Sequence, residues 1–292
     1  MTFLKFGHII RSNEGVFMAY NIPNKELEKR KIVDFDNDLF FSNYETVNAI
    51  DSMGESDDFV QSILLEGEYP KQLKHLVKIL SEYTDKDNLY NLAVNLTSVK
   101  LERKNPFVWL VLNNSYGTYD SRNNIITYFN KASIPHELLH LASTVDGSYS
   151  GFNVLKHGVN FANGLNEGYT EMLSQRIFFD ELFTKSAYKT DVYLLRIFEL
   201  LYDEPKEMER AYFNADYENP IRTFLKYGSL DEYKFLMKNL DYFAVTDIWN
   251  DEENVVFAFL INLLYKTGVR SKVNMAYDIY EEYLSSEKNK TR

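Results

Sequence analysis

"IPHELLHLAS", residues 134–143, sets two histidines four positions apart with a glutamate directly after the first. The chain has only five histidines, His8, His75, His136, His140 and His157, and two of them stand at the helical spacing that lets both rings reach a common point. A helical residue advances about 100°, which puts His136 and His140 about 40° apart on one face. Ile134, Leu138, Leu141, Ala142 and Val145 fall roughly 140° to 240° round from His136, on the opposite side. Such a helix lays its apolar back on a core and presents both imidazoles to a cleft, with Glu137 flanking them and only Leu139 out of pattern. Ser133 suits the N-cap, Pro135 suits a first turn where its missing N–H costs little, and Gly147 suits a terminator. The competing interpretation is two partly exposed polar residues on an ordinary amphipathic helix. A third ligand decides between them.

H-E-x-x-H is a spacing in which two histidines bind zinc and the glutamate polarises a metal-bound water. A catalytic zinc takes three protein ligands and a water. Downstream, "NGLNEGYTEML", residues 163–173, offers Glu167 and Glu171, one turn apart on a helix predicted from Asn166 to about Leu182. We assign Glu167 as the third ligand. Glu171 then lies where it can accept a hydrogen bond from the free ring nitrogen of a ligating histidine and fix its tautomer. Two solvated glutamates of a surface helix are the commoner fate of such residues. The conjunction of H-E-x-x-H with N-E-x-x-x-E one helix later outweighs it.

"HELLH" followed by "LNEGYTE" resembles the gluzincin group of zinc metallopeptidases, the thermolysin-like branch of the zincins. The resemblance covers roughly Tyr116 to Glu171 and implies one zinc ion per chain, held by His136, His140 and Glu167, with Glu137 as general base and Glu171 supporting a histidine ligand. No histidine follows His140 closely, which sets the chain apart from the metzincin pattern. The implied fold is α+β: a zincin-like catalytic core of a small mixed or antiparallel sheet plus the HExxH helix, with a mainly α-helical C-terminal part. The implied activity is hydrolysis of peptide bonds in a peptide or protein substrate by metal-activated water. The group also implies an edge strand that borders the cleft and pairs with the substrate backbone. Tyr116, Gly117, Thr118 and Tyr119 are the candidates for it, with a plain hairpin turn as the alternative. Gluzincins further use a Tyr or His facing the oxyanion, for which Tyr149 or His157, in the loop between the ligand segments, is available. Zinc is the default for a His, His, carboxylate set, although Mn, Co or Ni suit the same ligands.

Outside these motifs, "PFVWLVLNN" (106–114) and "NIITYFN" (124–130) read as strands separated by turn residues. The first 24 residues read as a hairpin around "RSNEG", and "NKELEKRK" (24–31) as an exposed charged stretch. Residues 45–96 read as mostly helical: in "YPKQLKHLVKILSEY", Leu73, Leu76, Val77 and Leu80 share a stripe that excludes His75. Beyond Asp180 the chain reads as helices, from "KTDVYLLRIFELLYD" to "KVNMAYDIYEEYLSS", with "SSEKNKTR" as a frayed tail. We therefore divide the chain into residues 1–183, an α+β part carrying the metal site, and residues 184–292, a helical part packed on the same cleft.

The net charge of -11 argues against nucleic-acid binding, because a phosphate backbone would be repelled overall. The chain has no cysteine, so thiolate ligands and disulfides are excluded and the His and carboxylate set is the one strong zinc candidate. The apolar run "VVFAFLINLLY" is too short for a membrane span and reads as a buried helix. The N-terminus lacks the apolar run of a signal peptide, which predicts a cytoplasmic protein with no membrane partner. Two alternatives to a peptidase are a zinc-binding but non-catalytic regulatory or protein-binding module of zincin fold, and a metal-free helical scaffold.

Overall fold

Leu73, Leu76, Val77 and Leu80 are all buried while His75 is exposed, so one face of a single helix seats the N-terminal helices on the rest of the chain. Each such side chain contributes about 1.5–3 kcal/mol when removed from water. A computed structural model describes residues 53–105, 116–145, 147, 149–156, 159–181, 188–245 and 252–288. The expected N-terminal hairpin, the charged stretch 24–31, the strand at 106–114, His8 and His157 lie outside the described residues.

The described residues begin with three helices, α1 (Met53–Glu66), α2 (Lys71–Tyr83) and α3 (Tyr90–Leu96). Strands β1 (Lys100–Arg103), β2 (Gly117–Asp120) and β3 (Ile125–Tyr128) then form a sheet in the order β1-β3-β2. β3 is central, parallel to β1 and antiparallel to β2, with Gly117 opposite Tyr128 and Asp120 opposite Ile125. Among the described residues β2 is therefore an edge strand. Helix α4 (Ile134–Ala142) follows and packs on α3, β2 and β3.

Residues 144–161 form a meander of four short antiparallel strands, β4 (Thr144–Val145), β5 (Tyr149–Ser150), β6 (Asn153–Lys156) and β7 (Val159–Phe161). This corrects the sequence expectation of a loop between the ligand segments. Strands of two to four residues are too short to show a period-2 alternation.

Helix α5 (Asn163–Ile177) starts three residues earlier than expected and ends five residues sooner. Its first turn is capped from another helix: Asp241 Oδ1 accepts the Gly164 N–H at 2.7 Å. The C-terminal part is helical as expected: α6 (Lys189–Glu199), α7 (Pro205–Phe213), α8 (Glu218–Leu225), α9 (Leu230–Phe243), α10 (Glu252–Tyr265) and α11 (Arg270–Lys288). A capping box starts α9, with Ser229 Oγ accepting Glu232 N–H and Glu232 Oε2 accepting Ser229 N–H.

Val256, Phe257, Leu260, Ile261, Leu263 and Leu264 of α10 are all at most 2 % exposed, which makes it a core helix. Among the described residues no helix is long and apolar enough to cross a membrane. Helix α11 runs four residues into the expected frayed tail, where Lys189 Nζ holds Glu287 Oε1 at 2.6 Å. The architecture is mixed α+β, mostly helical with two small sheets, and α5 lies at its centre, packed against α4, α6 and α9.

Candidate metal centre

Helix α4 is fixed at both ends by neutral hydrogen bonds. The expected cap is corrected here. Ser133 has helical backbone angles and its hydroxyl turns back, donating to Asn130 O at 2.8 Å and Tyr116 O at 3.1 Å, while Asn130 caps the preceding turn by accepting the Ala132 N–H. Ser133 thereby ties the start of α4 to the approach of β2. At the other end the His140 carbonyl accepts the hydroxyls of Ser143, Thr144 and Ser150, and Asn95 Nδ2 donates to Leu141 O and Thr144 O. The helix's unpaired terminal carbonyls are thus satisfied.

All nine residues of α4 are buried, including Leu139, which the sequence pattern left out of place. His136, Glu137 and His140 are 9, 6 and 7 % exposed, which removes the interpretation of half-exposed surface histidines. Buried polar side chains require partners. Helix α5 supplies them. Glu167 Oε2 lies 3.2 Å from His136 Nε2 and 3.4 Å from His140 Nε2, and the two Nε2 atoms are 3.0 Å apart. Three ligand atoms on a tetrahedral zinc, each about 2.1 Å from the ion, stand about 3.4 Å from one another. The donor triangle matches that spacing, and His136, His140 and Glu167 are the group among the described residues whose donor atoms converge closely enough to share a cation.

Around the triangle, the neighbours orient the ligands. His136 Nδ1 lies 3.0 Å from Glu171 Oε2, so a proton held there would leave Nε2 to face the triangle once the ring's second proton is displaced. Gln175 Nε2 in turn donates to Glu171 Oε1. On the second imidazole, Asn166 Nδ2 lies 3.4 Å from His140 Nδ1, and Asn166 Oδ1 accepts the Phe152 N–H from the meander. Thr170, one turn on, bonds both Asn166 O and the Tyr212 hydroxyl of α7. The sequence singled out Glu171 but not Asn166, Thr170 or Tyr212.

Charge at the centre follows from these contacts. Burial opposes a charged His136, but Glu167, Glu171 and Glu137 outweigh it and hold its pKa well above the ordinary value. Burial also opposes a charged Glu167, yet the two imidazoles outweigh it and hold that carboxyl below the ordinary carboxylate range. Glu137 goes the other way: burial raises it, the histidines offset part of the rise, and Glu167 and Glu171 add to it. One carboxylate is thus committed to the imidazoles while its neighbour stays ready to hold a proton.

No family model, curated protein or solved structure matches this chain. The centre is therefore interpreted from its own residues.

Of the expected substrate strand, Gly117 is the residue brought to the centre. A Cβ there would stand 3.0 Å from Glu137 Oε1 and 2.5 Å from Ser133 Oγ, so only glycine lets β2 approach the α4 carboxylate this closely. Thr118, on the opposite face of β2, is exposed. Tyr116 is half exposed and pairs with Phe129 at 5.2 Å between rings. Tyr119 donates to Asn124 Oδ1, and burial raises its phenol pKa to about 12. Tyr149 sits on β5 beside Ser150, whose hydroxyl faces His140 O; with alternating side chains, the Tyr149 ring stacks on Tyr217 at 6.1 Å.

The aromatic ring found on the centre is Tyr188, just before α6. It stacks on His136 at 5.8 Å and 21°, and Glu167 and Glu137 lie near enough to act on its phenol. Burial first, then the charges of Glu167 and Glu137, raise the phenol far above its ordinary pKa and keep it protonated. With 22 tyrosines in the chain and no motif around it, Tyr188 carried no signal in the sequence.

Proposed function

We propose that this chain is a zinc-dependent metallopeptidase of the gluzincin type, with a zincin-like core formed by α4, α5 and the β1-β3-β2 sheet. The observation that carries the proposal is the 3.0, 3.2 and 3.4 Å triangle of His136 Nε2, Glu167 Oε2 and His140 Nε2, two nitrogens and one carboxylate oxygen in a water-poor setting. That donor set suits zinc, and when bound zinc lowers the pKa of its water to about 7 and polarises a carbonyl.

The chain's own residues do the rest. Glu171 faces His136 Nδ1 and would keep a proton there, so that Nε2 is the nitrogen left to ligate a cation. Glu137, next to the first ligand and against the backbone of Gly117, takes a proton and returns it to the leaving amine, a role worth about 10²- to 10⁴-fold in rate. β2, paired on one side only among the described residues, offers main-chain groups to an extended peptide. Tyr188, a protonated phenol at the centre, is a further candidate for oxyanion donor beside Tyr149 and His157.

Two variants test this. Glu137→Gln is expected to keep one zinc per chain and to lose hydrolysis of a peptide library, whereas His140→Ala loses both. Full activity in the Gln variant would overturn the mechanism. Wild-type protein that binds zinc and cleaves nothing would favour the non-catalytic binding module instead.

A further inference from the structure

The described residues include a buried acid that the proposed chemistry does not use. Asp191, the third residue of α6, is 1 % exposed, and neither carboxylate oxygen has a hydrogen-bond partner. It sits where α6 comes closest to α5: a Cβ built on Gly168 would stand 2.6 Å from Asp191 Cβ and 2.9 Å from Leu195 Cδ1. Gly168 directly follows Glu167. Three residues before Asp191, Tyr188 lies on His136. Asp191 therefore stands at the joint that sets the distance between the Glu167 turn and the helix start carrying the centre's aromatic ring.

The ionisable groups around this joint are acidic or already paired. Glu167 faces it from α5, Asp241 from α9 and Glu253 from α10. On α11, Glu287 is held by Lys189 and Glu282 by Arg196, both bases from α6 itself. On α5, Arg176 is held by Glu199. The first turn of α6 favours an anion through its free N–H groups, but that effect is modest beside the removal of an unpaired carboxylate from water.

We infer that Asp191 is a positioning residue for the His136–His140–Glu167 centre, clamping α6 onto the Glu167 turn of α5 only while it carries its proton. Burial chiefly, opposed by its own backbone N–H and aided by Asp241, Glu253 and Glu167, raises its pKa well above the ordinary carboxylate value. A folded-state pKa above the unfolded one gives a stabilisation that is complete below the unfolded carboxylate pKa of about 3.9. It is lost as pH climbs through the folded value. Ionisation then places a fourth negative charge among Glu167, Asp241 and Glu253 and separates the two helices. Its effect on metal holding rests on the proposed function; its effect on stability does not.

The test compares wild type with Asp191→Asn and Asp191→Leu, two neutral replacements of similar size, across about pH 4 to pH 9. Thermal unfolding with a chelator present reads the joint alone. Zinc affinity by competition with a coloured chelator reads the centre. Expected is a Tm advantage of the neutral variants that grows by several degrees as pH rises, and a zinc affinity that falls off at high pH in wild type and less in the variants. A Tm difference independent of pH, or failure of both neutral variants to fold, would overturn the inference. If no protein binds zinc but the Tm difference still grows with pH, the metal assignment fails and the Asp191 joint stands. If all bind zinc with affinities that stay parallel across pH, Asp191 does not position the centre.

Discussion

The two sides of α5 hold buried carboxylates in opposite conditions. Toward α4, Glu167 and Glu171 meet two imidazoles, and Glu167 is held ionised. Toward α6, Asp191 is buried more deeply than either histidine, faces other acids, and has its pKa raised well above the ordinary carboxylate value. Burial pushes both acids the same way, so the partners alone reverse the outcome. A carboxylate next to two ring nitrogens is ready for a divalent cation, and one next to other acids is ready for a proton.

The strongest way to break this contrast is to remove the imidazole that touches both glutamates. His136→Ala strips an imidazole from both acids, leaving Glu167 with His140 and Glu171 with Gln175, and stoichiometric zinc is expected to disappear from metal analysis. Chemical denaturation of the same variant should show a loss of about 3 kcal/mol or more, the cost of stripping a partner from a buried charged pair. Glu171→Gln keeps a group beside His136 Nδ1 but weakens its hold on the tautomer. Zinc affinity should fall by about 10- to 100-fold, read by chelator competition, with stability nearly unchanged. Should Glu171→Gln empty the site while Glu167→Gln leaves it filled, the roles of the two acids are exchanged. The smallest effect is expected far from the centre: Ser229→Ala removes the α9 capping box and costs about 1 kcal/mol in unfolding while zinc binding stays intact.

Where the chain's chemistry is local, the sequence was legible. His136, His140, Glu167 and Glu171 sit at one-turn spacings on two helices, so their shared faces follow from helix geometry, and the structure brings all four together. The Leu73 stripe and the run around Val256 were legible for the same reason. Where the chemistry depends on chain segments meeting from afar, the sequence was silent. Tyr188 reaches His136 across more than fifty positions, and Asn166 joins His140 to Phe152 through an amide whose two partners lie on α4 and in the meander. Asp191 reads as an ordinary first-turn acid of α6, and its isolation follows only from four helices closing over it. The Ser133 cap failed because residues 131–133 already turn helically, so Ser133 lacks the extended backbone angles that aim an N-cap oxygen at the helix N–H groups.

The meander between α4 and α5 has a consequence for how a cation would be received. A slack connection of about twenty residues costs roughly 2 to 3 kcal/mol in chain entropy when its ends are brought together. Here paired strands run through most of that distance, with Val154 opposite Phe161 and Tyr149 opposite Val154, and its middle is tied to α5 by the Phe152 N–H donated to Asn166 Oδ1. An arriving ion would find its three donors assembled and would not have to fold the protein around itself, so its affinity would reflect coordination set against the release of the His136 proton.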